Sequence, residues 1–305
     1  MTAPADAFPR PLAIAILAAL ACTFAANHIA ARIAFEHHTG LLLAIFCRSG
    51  VSIILLSIVL VKQQGTRPVL PAGTWPWQLL MGLLISAQSF CIYSAITRIP
   101  VALALLLVNI FPLLLILITW LLGGPAPTRR MLAIMAVILL GLGMALDLPA
   151  RLAEPNDGFE WITGSLFSLG AALAFAFGLW VTSHRLVEVP GILRSLYTML
   201  TVFICSILAG LAGALPQGFN LPDAPAGWLG LSCLALFYGA AFSLLFAWIH
   251  RFDITRHAPV MNIEPVATLI LGWIFLGQQL AHLQIAGALT VVAGIVLLTT
   301  LPTRS

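Results

Sequence analysis

Glu264 is a carboxylate inside an apolar run, with Ile263 before it, Pro265 after it and Asn262 two residues upstream. An acid at that depth in lipid costs roughly 2.5–3.5 kcal/mol on insertion scales, so it calls for a partner, a wet cavity or a task. Asn109 and Pro112 repeat the motif, an amide three residues ahead of a proline. Pro265 has no N–H for the carbonyl of Met261, and Pro112 none for Val108, so each is expected to kink its helix. Each asparagine stands close enough to solvate the break. Ser86, Ser89 and Tyr93 share one helical face through i, i+3, i+7 spacing, in the stretch SAQSFCIYSA. Tyr238, Phe242 and Phe246 recur every fourth residue and form an aromatic stripe.

The chemistry these types can do is binding and proton transfer. Glu264 can hold an ammonium or carry a proton. Asn109, Asn262, Ser86, Ser89 and Tyr93 can hydrogen-bond a polar substrate, and Tyr238 and Phe242 can take an apolar side chain. His257, beside Arg256, is a candidate proton-responsive gate together with Glu264, Pro112 and Pro265. Each has a plainer reading: an acid paired with a neighbouring helix, serines bonded between helices, rings turned to lipid, a histidine at an interface. Asn27 and His28 are placed at the outer end of the first apolar run, as mouth or helix-end groups. Arg48 lies seven residues into the second run and is expected to snorkel outward along its own stem, with no chemistry assigned. There is no Walker A loop, HExxH, GxSxG, haem or zinc spacing, so no catalytic residue, metal or cofactor is expected.

These residues need helices in lipid to position them. Of 305 residues 61% are hydrophobic and only 8% charged, against about a quarter charged in a soluble domain. A span takes about 20 apolar residues. Ten such runs occur: Pro11–Ala31, Leu41–Val61, Trp75–Ile96, Val101–Leu122, Arg130–Leu146, Trp161–Ser183, Leu193–Leu215, Gly227–Ile249, Ala258–Leu276 and His282–Leu301. The first lacks a cleavage region and is read as a retained helix. Lys and Arg residues at the N-terminus, the even loops and the C-terminus number ten: Arg10, Lys62, Arg67, Arg129, Arg130, Arg185, Arg194, Arg251, Arg256 and Arg304. The odd loops hold only Arg32, Arg98 and Arg151. The positive-inside rule then puts both termini in the cytoplasm. Five cysteines lie in apolar runs without a CxxC and are expected as free, buried thiols.

The chain also repeats itself. At an offset of 153 residues Trp75 meets Trp228, Arg98 meets Arg251, Asn109 meets Asn262, Pro112 meets Pro265, Trp120 meets Trp273 and Gly141 meets Gly294. Coincident Trp, Asn, Pro and Arg are not produced by apolar composition. Two five-span halves follow, 1–150 and 151–305. Because five is odd, the second enters the membrane from the opposite side, which makes an inverted repeat.

The segments YSAITRIPVALALLLVNIFPLLLILITWLLGG (Tyr93–Gly124) and WIHRFDITRHAPVMNIEPVATLILGWIFLGQ (Trp248–Gln278) resemble the drug/metabolite transporter superfamily, in its two-repeat, ten-helix exporters. The likeness lies in the aromatic and Ala, the short basic turn, the mid-helix proline, and the Trp before a closing Gly. The acid that ends the family pattern is Gln278 here, and Pro125 follows Gly124 in the first copy. Within the superfamily the chain is most similar to bacterial aromatic amino acid exporters. The resemblance implies a multi-pass inner-membrane protein whose first, third, fourth, sixth, eighth and ninth helices line a central cavity. It also implies partners limited to lipid and a small-molecule substrate, with no nucleic acid.

The expected function is export of small amphipathic metabolites, aromatic and apolar amino acids above all, by alternating access about the Pro112 and Pro265 breaks. A broader drug, nucleoside or metabolite efflux carrier is the first alternative. An intramembrane lipid-modifying enzyme is the second, weakened because Glu264 is the one acid deep in a span.

Overall fold

A computed structural model describes residues 8–62, 70–146, 158–215, 218–248, 260–261, 263–279 and 281–300. Among these, eleven helices and no strands occur: α1 (Arg10–Glu36), α2 (Leu41–Lys62), α3 (Trp75–Ile96), α4 (Val101–Val108), α5 (Phe111–Leu121), α6 (Arg129–Leu146), α7 (Gly158–His184), α8 (Gly191–Leu211), α9 (Pro225–Trp248), α10 (Ile263–Leu276) and α11 (His282–Thr300). Seven stretches are long and apolar enough to cross a bilayer, and α4 with α5 counts as one of them, Val101–Leu121. Two shorter apolar helices are Ile263–Leu276 and His282–Leu297. Leu83, Ile54, Leu140 and Trp273 stand exposed on outer faces, as lipid-facing side chains do.

Local chemistry sets the ends. Prolines stand at or just before the starts of α1, α3, α4, α5, α8 and α9, where a missing N–H costs nothing. α5 is followed by Gly123 and α10 by Gly277, both at positive φ (91° and 61°), a conformation that suits glycine. α1 runs five residues beyond the expected Ala31. Arg32 Nε pairs with Glu36 one turn on (2.8 Å), and Arg32 Nη1 donates to the Ile96 carbonyl of α3. α8 stops at Leu211, short of the expected Leu215, where Gly213 turns the chain at φ 64°.

α4 is buried at all eight positions, as a sequence apolar on every side (VALALLLV) requires. Around it the main packing joins the first part of the chain to the second: α1 on α9, α3 on α7, α2 on α8, α6 on α11. α9 also meets α2, α8 meets α3, α10 meets α1 and α4, and α7 meets α4 and α5. Small residues permit the closest approaches. A Cβ at Gly230 of α9 would lie 2.8 Å from the Ala30 carbonyl of α1. Polar ties fasten helix ends: Gln78 Nε2 donates to Thr198 Oγ1 (3.0 Å) and to the Arg194 carbonyl of α8 (3.1 Å), and Arg98 Nε reaches Glu160 of α7 (3.2 Å). The five thiols are free, but Cys22 is exposed and the other four are half-buried. The expected burial therefore fails: each sits on a helix flank, at the edge of the packing.

Candidate functional site

The fold brings three helices together around a group to which sequence reasoning gave no task. Arg48 of α2 is 2% exposed. Its guanidinium carbon lies 4.7 Å from the ring centroid of Tyr93 on α3 and 4.3 Å from that of Tyr238 on α9. One Nη donates to Tyr93 Oη (3.2 Å) and the other to Ser89 Oγ. Its Nε has no partner among the described residues, and none of their carboxylates pairs with it. The expectation that Arg48 snorkels to the surface is overturned. α2 is flanked by α8 and α9, and the two rings beside the guanidinium hold the cation inside the bundle.

The aromatic stripe turns inward as well. Tyr238 stacks on Phe242 (5.4 Å, 13° between planes) and meets Phe24 of α1 edge-on at 6.0 Å. Tyr93 meets Phe35 of α1 at 5.3 Å. The lipid-facing reading of Tyr238 and Phe242 is therefore wrong, while the side chain of Phe246 lies outside the described residues. Of the third-helix face, Ser89 and Tyr93 join the cluster. The Ser86 hydroxyl donates to the Gly82 carbonyl of its own helix (2.7 Å).

His28 lies on the same stripe of α1, one turn after Phe24 and two turns before Phe35. Its Nε2 stands 3.7 Å from Glu264 Oε1 on α10, and its Nδ1 is buried without a partner. The neighbouring Asn27 is fully buried with both amide atoms unpaired. Placing this pair at an outer mouth was an error of helix length: with α1 ending at Glu36, both sit more than two turns inside. His184, the last residue of α7, meets the Trp180 carbonyl through its Nδ1 at 3.0 Å.

The two prolines act at breaks. α4 ends at Val108 and α5 begins at Phe111, with Pro112 in the first turn of α5. Asn109 closes α4, but its Nδ2 donates to the Leu105 carbonyl (2.8 Å) and not to Val108. Pro265 is buried in the first turn of α10, which opens at Ile263 after a short turn at 260–261. The stretch before it, where the kink was expected, lies partly outside the described residues. Glu264 sits in that same first turn, where the helix dipole favours an acid. Asn262 and His257 lie outside the described residues. A groove of about 450 Å³ lies elsewhere, on the flank of α3, α5 and α7, lined by Leu84, Ile118, Leu122, Leu173 and Phe177. No residue of the cluster lines it.

Charges folded inward beneath leucine-covered outer faces define a polytopic helical membrane protein, and a buried cation is held among rings and hydroxyls. The description "EamA-like transporter family" fits the chain twice, over residues 11–146 and again over 162–300. The chain belongs to that family and so to the drug/metabolite transporter superfamily. It is similar to the threonine/homoserine exporters RhtA of Salmonella typhimurium strains SL1344 and LT2. Each is 26% identical over 219 residues, which is 70% of this chain and 68% of the relative. A solved crystal structure aligns with 94% of this chain and 96% of its own, with a TM-score of 0.63 and 19% identity, a likeness of fold.

Proposed function

We propose that the protein is a ten-span secondary transporter with both termini in the cytoplasm of the inner membrane. It exports amino acids with aromatic or apolar side chains by alternating access between two inverted halves, 1–150 and 151–305. The observation that carries this reading is the Arg48, Tyr93, Tyr238 and Phe242 cluster. It offers polar recognition and aromatic surface in one place, which an amphipathic zwitterion needs. The inverted arrangement is supported by the packing. When each element is exchanged for its counterpart 153 residues away, α1 on α9 becomes α7 on α3, α2 on α9 becomes α8 on α3, and α1 on α10 becomes α7 on the α4–α5 span. Contacts that map onto one another in this way are what two halves related by a pseudo-two-fold axis produce, and five spans per half would lay that axis in the membrane plane.

A second reading has its own support. Asn27 holds an unpaired amide nitrogen and oxygen and Ser243 of α9 an unpaired hydroxyl, all buried. Such groups suit a hydroxylated side chain, as in the substrates named for the RhtA exporters. Counterflow in proteoliposomes separates the two: phenylalanine and tryptophan exchanging faster than threonine and homoserine supports the first, and the reverse order supports the second. Exchange confined to nucleosides or cationic drugs contradicts both.

Glu264 and His28 form the proton-linked pair in this scheme. Glu264→Gln is expected to leave counterflow measurable while abolishing its response to a pH gradient. An unchanged gradient response removes the proton role. The break at Pro112 is the hinge of the first half. Pro112→Ala restores a donor for the Val108 carbonyl and lets α4 run into α5. Turnover should fall several-fold at unchanged substrate affinity, and equal turnover argues against a hinge there.

A further inference from the structure

We infer that Arg48 is the carboxylate-binding group of the transport site, so that the substrate class is restricted to carboxylates. The inference rests on the reading of the chain as a carrier and goes further by assigning one end of the substrate to one side chain.

The geometry narrows where an anion can approach. The guanidinium carbon lies over the rings of Tyr93 and Tyr238, 4.7 and 4.3 Å from their centroids. Tyr93 Oη and Ser89 Oγ each take one Nη donor. The Nε–H is buried and has no acceptor among the described residues, so it is a donor left for an anion. In-plane approach is how guanidinium binds a carboxylate through two parallel N–H···O bonds. A buried cation that meets no acid among the described residues also lacks the counter-charge that would make it a finished ion pair. A substrate anion supplies it. The position is particular to one half of the chain: 153 residues on from Arg48 stands Thr201, which carries no charge. The carboxylate of the substrate therefore docks against α2 and α3, and its side chain extends toward Tyr238 and Phe242.

Two measurements on the full-length protein test this. The first is the thermal stability of purified wild-type protein with phenylalanine, threonine or 3-phenylpropionate, against phenylalaninamide and benzylamine. Stabilisation by at least one carboxylate and by neither amine is expected. Arg48→Lys should weaken the carboxylate effect about tenfold in concentration, because it keeps the charge and loses the paired donors. The second is inhibition of labelled phenylalanine counterflow by the same compounds, where 3-phenylpropionate should compete and phenylalaninamide should not. Equal effects of acid and amide in either assay, or no stabilisation by any carboxylate, overturns the assignment; either result with flux intact leaves the carrier reading standing. Carboxylate-selective stabilisation without amino acid flux upholds Arg48 as an anion site while the proposed export fails. The wild-type comparison needs no variant, so it decides the question even if Arg48→Lys does not fold.

Discussion

Arg48→Met is expected to yield a folded protein that exports about 100-fold more slowly. The two halves of that expectation come from opposite terms. Methionine fills a similar space, and replacing a buried ion by an apolar side chain is often neutral in stability because the cost of desolvating the charge disappears. Against this stand two ring contacts and two hydrogen bonds, to Tyr93 and Ser89. Ser89 keeps its bond to the Ile85 carbonyl, so it is not stranded. The balance should fall within about 2 kcal/mol of zero, read as a midpoint shift of no more than roughly 5 °C in detergent. Transport has no such compensation. Truncating one partner of a buried charged pair costs about 2–5 kcal/mol, and about 1.4 kcal/mol is tenfold in rate or affinity. A variant that unfolds shows Arg48 to be structural mortar. One that folds and transports normally removes it from the mechanism.

Gly287→Ala is expected to destabilise the protein by about 1–3 kcal/mol, the usual cost of overpacking, lowering the midpoint by roughly 2–6 °C. A Cβ at Gly287 of α11 would sit 2.4 Å from the Ala145 nitrogen and 2.5 Å from the Gly141 carbonyl oxygen of α6. Both atoms are backbone and cannot rotate away, so the helices must part. Gly143→Ala is the matched control: it lies on the exposed side of α6 with nothing within 4 Å. There the added methyl removes a helix penalty of about 0.5–1 kcal/mol, and stability should hold or rise. Thermal unfolding of both variants side by side checks the sign as well as the size. Equal stability of the two would mean that α6 and α11 do not meet at these glycines.

Apolar helices were legible because lipid imposes a length and a composition on them, and seven described stretches are long and apolar enough to cross. The first break was legible because proline acts through its own backbone: α4 ends at Val108, the residue whose carbonyl Pro112 leaves without a donor. On the third-helix face Ser89 and Tyr93 meet Arg48, while the Ser86 hydroxyl bonds to the Gly82 carbonyl of its own helix. Arg48 was misjudged from the length of its stem alone. Reach decides snorkelling only when nothing nearer competes, and Tyr93 and Tyr238 come from helices that no local pattern ties to α2. The signal was present, since a cation in mid-span is by default a functional group. His28 was misplaced by ending α1 at Ala31, although Arg32 and Glu36, four apart, already spelled another helical turn. Which helix lies beside which is a property of packing, and spacing along one chain does not contain it.

The most direct test of transport through this cluster is sidedness of access. In a protein stripped of its five native cysteines, Ser89→Cys and, separately, Phe242→Cys are exposed to a membrane-impermeant thiol reagent from either face of sealed vesicles. Labelling from both faces, slowed by transported amino acid, is the expected result. Reactivity from one face only, or from neither, with no response to amino acid, contradicts it.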